Sequence, residues 1–227
     1  MPLSSPPLGP SPSPGYPWGG YNASRWALGP LRFIGARFFP FTCEGRERVP
    51  AGPVVVAANH FSHLDPVMVS LAVGRPIRFL AVDELYGRSA FFDRLTLWLG
   101  AIPLPRSRAP LGALRLALAE LAAGGTVGVY PEGMRVWAWD ESRPKRGAAW
   151  LARRAGVPLL PVAVAGSEEA LGRGTTRVSR RPIHVVVCEA IDPAEFAGAS
   201  DPLGAITAEW RRRVDLALQG AYRRLTP

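Results

Sequence analysis

His60 and Asp65 stand with four residues between them in the run Asn59-His60-Phe61-Ser62-His63-Leu64-Asp65-Pro66. That spacing lets the chain turn back so that the carboxylate accepts a hydrogen bond from one imidazole nitrogen, leaving the other free to take a proton. An imidazole titrates near neutral pH, and a carboxylate partner both fixes its tautomer and stabilises the imidazolium formed when it acts as a base. The pair matches the base and the orienting acid of a hydrolytic triad, yet the sequence contains neither a nucleophile elbow nor a papain-like cysteine pattern to complete one. The nucleophile is therefore expected from the substrate, most simply as a hydroxyl. Taken without context, the same residues also fit a helix cap at Asp65 and a polar strand end at His60. His63 lies within the turn and reads as a loop support.

The elements that must position this pair are legible around it. Val54 to Ala58 is a short β-branched run bounded by Pro53 and Asn59, suited to a strand covered on both faces. In open α/β sheets ligands gather at the carboxyl ends of strands, where His60 emerges. Asp65-Pro66 reads as a helix start with Asp at the N-cap, followed by the apolar Val67 to Val73. Further strands are predicted at Ile77–Ala81, over 100–106 with Arg106 at its end, at Thr126–Tyr130, at 156–164 and at Ile183–Cys188. Helices are predicted from Asp83-Glu84 through Leu99, over Leu111–Ala123 with an inner face at 111, 114, 118 and 121, over Ala148–Ala155, and at the end of the chain. The last should bury Ile206, Trp210, Val214, Leu218, Ala221 and Leu225 on one face. Residues 165–182 read as a polar loop. The alternation from residue 53 onward argues an α/β fold, a mainly parallel sheet flanked by helices.

Two strand exits besides that of His60 carry anion-binding chemistry. Arg106 follows one strand, and a guanidinium there can hold a phosphate in a bidentate clamp. Pro131-Glu132-Gly133-Met134-Arg135 follows another. Gly133 would let backbone amides approach an anion closely, Arg135 would grip it, and Glu132 would accept hydrogen bonds from the acceptor or the backbone.

Asn59 to Pro66 resembles the His-x4-Asp block of the glycerolipid acyltransferase family, whose best-known members are the 1-acyl-glycerol-3-phosphate acyltransferases. Three more blocks follow in order. Gly100 to Arg106 is similar to the second, and Tyr130 to Arg135 resembles the third, normally Phe-Pro-Glu-Gly-Thr-Arg, with Tyr130 and Met134 as departures. Gly156 to Val164 resembles the fourth and would line the acyl groove. Pro144-Lys145-Arg146-Gly147 is similar to the family's Phe-Lys-x-Gly segment, so Lys145 matches a position kept basic, whereas Val82 stands where a lysine is usual.

The resemblance implies transfer of a fatty acyl group from acyl-CoA or acyl-carrier protein to the free hydroxyl of 1-acyl-glycerol-3-phosphate (lysophosphatidic acid), giving phosphatidic acid in phospholipid biosynthesis. His60 and Asp65 would be catalytic, and Arg106, Glu132, Gly133, Arg135 and Lys145 would bind the acceptor phosphate. No metal or cofactor is implied. Glycerol 3-phosphate, a lysophospholipid or another membrane alcohol remains an alternative acceptor.

Composition sets the outer bounds. The chain carries a net charge of +9, mostly from arginine, with 48% hydrophobic and 20% charged residues. That balance fits one packed domain with an anionic partner. Zinc-finger spacing, an RNP-like aromatic block and a basic region with heptads are all missing, so an anionic membrane surface and phosphorylated substrates are favoured over nucleic acid. Cys43 and Cys188 match no zinc or redox pattern and read as unpaired in a reducing compartment. Residues 1–20 form a Pro-rich tail. In residues 21–42, Trp26, Phe33, Phe38, Phe39 and Phe41 alternate with Arg25, Arg32 and Arg37. This segment is too broken to span a bilayer, which takes about 20 apolar residues, and suits an interfacial, membrane-associated helical segment. Residues 43–227 are then the acyltransferase domain, peripheral on the cytoplasmic face of the membrane.

Overall fold

The computed structural model describes residues 39–82, 101–104, 111–175 and 177–225. The expected tail, residues 21–38 of the interfacial segment, the helix from Asp83 to Leu99 and Arg106 all lie outside the described residues.

Seven strands form one sheet in the order β1-β7-β6-β2-β5-β3-β4. They are β1 (Phe41–Glu44), β2 (Val54–Ala58), β3 (Arg78–Val82), β4 (Ile102–Leu104), β5 (Thr126–Val129), β6 (Leu159–Ala165) and β7 (Ile183–Val187). Every neighbouring pair is parallel except β6 with β7, so the sheet is mixed and mainly parallel. The helices are α1 (Asp65–Val73), α2 (Leu111–Ala122), α3 (Gly147–Ala155), α4 (Ser167–Leu171) and α5 (Pro202–Leu225). Helix α4 falls inside the segment read as a loop; its five residues are too few to give a periodic signal.

Strand β2 sits at the centre, and every one of its residues is buried. Its side chains alternate between the two layers as a strand requires. Val55 and Ala57 join the core built with α2, α3 and α5, while Val54, Val56 and Ala58 join the core built with α1. Helix α5 buries Ile206, Trp210, Val214, Leu218 and Ala221 as its periodicity predicts. The indole Nε1 of Trp210 donates to the carbonyl of Ala57 at 2.9 Å, tying α5 to the end of β2.

Two expectations need correction. On α2 the buried residues are Ala113, Ala117, Glu120 and Leu121, whereas Leu111 is 60% exposed. Small side chains let this helix approach the sheet, and the inward carboxylate of Glu120 is matched by Arg78 on β3 at 3.2 Å. The boundary at residue 42 also moves. Phe39 is buried in the α1-side core with Phe41 packed against it, and β1 begins at Phe41. These two aromatics therefore serve the domain's own core and not a lipid interface. No helix among the described residues is long and apolar enough to cross a membrane.

Candidate active site

The register of the central strands brings two distant segments together. Ala57 of β2 faces Val129 of β5, so His60 and Glu132, each three residues further on, leave adjacent parallel strands at the same edge. Their contact is direct: the His60 N–H donates to Glu132 Oε1 at 3.2 Å. The Val136 N–H donates to the His60 carbonyl at 2.9 Å, closing the loop after β5 against the loop after β2.

The imidazole is held as the spacing predicts. His60 Nδ1 lies 2.8 Å from Asp65 Oδ2, with the Asp65 side chain fully buried and that of His60 14% exposed. The same Oδ2 accepts the N–H groups of Phe61 and Ser62 at 2.8 and 2.7 Å. Asp65 is thus not the N-cap of α1. Leu64 holds that position, with no side-chain cap, because the carboxylate turns back to organise the loop before it. A buried carboxylate receiving three donors can only accept from Nδ1, which leaves Nε2 as the nitrogen able to take a proton.

Three side chains that sequence reasoning did not assign complete the support. Asn59, fully buried, donates from Nδ2 to the Val164 carbonyl at 2.8 Å and accepts the Val164 N–H at 2.7 Å. It extends the β2–β6 ladder with a side chain and fixes where the exit begins. Its place between an apolar run and a histidine was the available signal. Ser62 donates to the Leu171 carbonyl at 2.6 Å and accepts the Leu64 N–H, so its hydroxyl is committed to structure. Tyr130 stacks on His60, with ring centroids 3.9 Å apart and planes 14° apart, and Phe79 stacks on Tyr130 at 5.3 Å. The ring, not the hydroxyl, does the contacting, consistent with phenylalanine at this place in the family pattern.

Nothing nearby supplies a protein nucleophile among the described residues. Cys43 and Cys188 are both free, but burial pushes the Cys43 thiol up and that of Cys188 to about 11. Neither is a ready thiolate.

The loop 131–146 carries the remaining expected residues. Gly133 adopts φ 72°, and a Cβ there would lie 2.7 Å from the Lys145 ammonium, so the glycine lets Lys145 lie across the turn. Its own N–H donates to the Tyr130 carbonyl, so that amide is used within the turn. The Lys145 N–H is bonded to the Pro131 carbonyl at 2.7 Å, holding the lysine's backbone beside Glu132. Arg135 is half-buried in the same loop. Glu132 is only 4% exposed and accepts the His60 N–H, the backbone role of the two that the sequence offered, and so it supports the histidine's loop.

Burial raises the Glu132 carboxyl from 4.5 to about 8, and its Oε2 is buried without a hydrogen-bond partner. At neutral pH the group is therefore largely a neutral acid, and Asp65 is the carboxylate that faces the imidazole. Between about 4.5 and about 8 the native state holds a proton that the unfolded chain has released, so stability falls as pH rises through that window and stays lower above it. Glu132→Gln keeps an acceptor for His60 and removes the titration. We expect the variant's Tm advantage over the parent to grow by several degrees between about pH 5 and about pH 9. A Tm difference that does not change with pH would show that Glu132 does not titrate in this window.

The chain is similar to proteins of one kind. Over 165 residues it is 31% identical to a probable 1-acyl-sn-glycerol-3-phosphate acyltransferase of Mycoplasma genitalium, matching 65% of this chain and 60% of that protein. Over 160 residues it is 28% identical to a chloroplastic 1-acyl-sn-glycerol-3-phosphate acyltransferase of Arabidopsis thaliana, matching 65% and 44%. The match thus spans less than two thirds of the length of either curated relative. In fold it is similar to the crystal structure of the 1-acyl-sn-glycerophosphate (LPA) acyltransferase PlsC from Thermotoga maritima, with a TM-score of 0.69 at 24% identity over 88% of this chain and 82% of that one. The acyltransferase family pattern matches residues 40–165, from β1 through β6 and including both loops that meet at His60. The chain belongs to the acyltransferase family.

Proposed function

We propose that this protein transfers a fatty acyl group from a thioester, acyl-CoA or acyl-carrier protein, to the free hydroxyl of 1-acyl-glycerol-3-phosphate, forming phosphatidic acid. The observation that carries the reading is the His60–Asp65 pair at 2.8 Å, placed at the carboxyl end of the central strand without a protein nucleophile beside it among the described residues. His60 Nε2 takes the proton of the acceptor hydroxyl as its oxygen attacks the thioester carbonyl. Collapse of the tetrahedral intermediate breaks the carbon–sulfur bond, and the imidazolium returns the proton to the departing thiolate. The products are an ester and a free thiol, and no acyl-enzyme is needed. The family membership and the names of the relatives support this choice of acceptor.

Arg135 and Lys145, with Arg106, are the cations we assign to the acceptor phosphate. The residues before Phe39 would lie in the headgroup region, making the enzyme peripheral on the cytoplasmic face. The decisive experiment is an acceptor screen with a labelled acyl thioester, reading ester formed and thiol released. Lysophosphatidic acid should be the preferred acceptor, and thiol release without ester in its presence would mean hydrolysis. A charge-assisted contact contributes roughly 1.5–3 kcal/mol, so Arg135→Ala or Lys145→Ala should lose about ten- to a hundredfold in kcat/KM for lysophosphatidic acid. Activity with a phosphate-free acceptor should change much less. Equal losses on both acceptors would remove these residues from the phosphate site.

A further inference from the structure

The loop that closes on His60 also carries the most exposed aromatic side chain among the described residues. Val136, 1% exposed, faces inward with its N–H on the His60 carbonyl. Trp137, the next residue, is turned outward at 63% exposure, and Met134 is 43% exposed. The indole is nevertheless held. The Arg173 guanidinium lies 5.5 Å from its ring centroid, and a Cβ on Gly174 would come within 2.9 Å of the ring. The Trp137 N–H donates to Glu141, whose other oxygen pairs with Arg173 at 3.1 Å. The segment that supplies Arg173 continues through Arg177, Val178 and Arg180. Val178 is 46% exposed, and both arginines are exposed with no carboxylate partner among the described residues.

A large apolar ring fixed in water, on a loop bonded to the His60 backbone and held by a segment that goes on to the exposed Arg177 and Arg180, matches the chemistry of a lipid headgroup region. The indole prefers that boundary and guanidinium groups prefer anionic lipids. We propose that Trp137, Met134 and Val178, with Arg177 and Arg180, form a rim that docks on an anionic bilayer and sets the opening above His60 against the lipid surface. These residues are distant in sequence from the segment before Phe39. Its purpose rests on the acyltransferase reading, because an amphiphilic acceptor then reaches His60 without leaving the membrane, but its existence does not.

The test is flotation of the full chain with phosphatidylcholine vesicles, with and without phosphatidylglycerol. Trp137→Ser should lower partitioning about tenfold on the anionic vesicles. The Arg177→Gln, Arg180→Gln pair should lower it about thirtyfold there and leave neutral vesicles little affected. Trp137→Phe, which keeps a ring for folding and docking, should still bind but show less quenching of tryptophan fluorescence by brominated lipids than the parent, what remains coming from Trp26. Unchanged vesicle binding by Trp137→Ser, or unchanged quenching in Trp137→Phe, would overturn the rim. So would loss of binding to an acidic carrier protein with vesicle binding intact, which would make this a protein-docking face. Loss of vesicle binding in variants of a chain that transfers no acyl group would keep the rim and sink the enzymatic reading.

Discussion

His60→Ala should reduce kcat for acyl transfer by roughly 10²–10⁴-fold, the contribution typical of a positioned general base, while the chain stays folded. The side chain belongs to neither core cluster, and its removal leaves the His60 backbone bonds to Glu132 and Val136 in place. Asp65 would still receive Phe61 and Ser62. The variant loses the stack on Tyr130, so a Tm lower by a few degrees is consistent with the argument. Circular dichroism and a melt establish folding, and single-turnover thiol release with a long-chain acyl thioester measures the chemistry. A folded His60→Ala protein retaining more than about a tenth of parental turnover would mean that the proton leaves the acceptor by another route.

What the sequence made legible was whatever depends on local period and residue type. Strand β2 could be read because five consecutive apolar residues between a proline and an asparagine fit a strand covered on both faces. The inner face of α5 could be read because Ile206, Trp210, Val214 and Leu218 recur at helical spacing. The His60–Asp65 contact is also local, and a turn of six residues brings the groups together. Failures came where packing or register decides. On α2 the leucines at 114, 118 and 121 pack on the core as their spacing suggested while Leu111 does not, and hydrophobicity alone does not show that Ala113 and Ala117 let a helix approach closely, or that Arg78 lies opposite Glu120.

Glu132 is the more instructive case. As a residue type beside a glycine and an arginine it suggested a hydrogen-bonding position on an acceptor or on backbone groups. Only the pairing of Ala57 with Val129 shows that it must meet the backbone of His60. That pairing joins segments 72 residues apart, and no local pattern encodes it. The stack of Tyr130 on His60 follows from the same register. Asn59 was marked only by its place after the apolar run, since what a side chain that mimics a strand's backbone does is visible only once β6 lies beside β2.

Asp65→Asn tests the division between holding the histidine and stabilising its charge. The substituted amide can take two orientations. With nitrogen in the Oδ2 position it would face three donors, the Phe61 and Ser62 N–H groups and Nδ1–H, with no acceptor between them; in a fully buried site this arrangement is strongly disfavoured. The amide oxygen should therefore occupy that position, keep the loop closed and keep the proton on Nδ1. Its nitrogen then fills the Oδ1 position, which has no hydrogen-bond partner, so the variant should lose some stability, about 1–3 kcal/mol for an orphaned buried donor. The tautomer survives, but the negative charge that stabilises the imidazolium is gone. Turnover should fall by roughly a hundredfold with little change in the acceptor KM, a smaller loss than that of His60→Ala. Near-normal turnover in a folded Asp65→Asn protein would reduce Asp65 to an organiser of the loop. A loss as large as that of His60→Ala would show instead that the amide flips and the wrong nitrogen carries the proton.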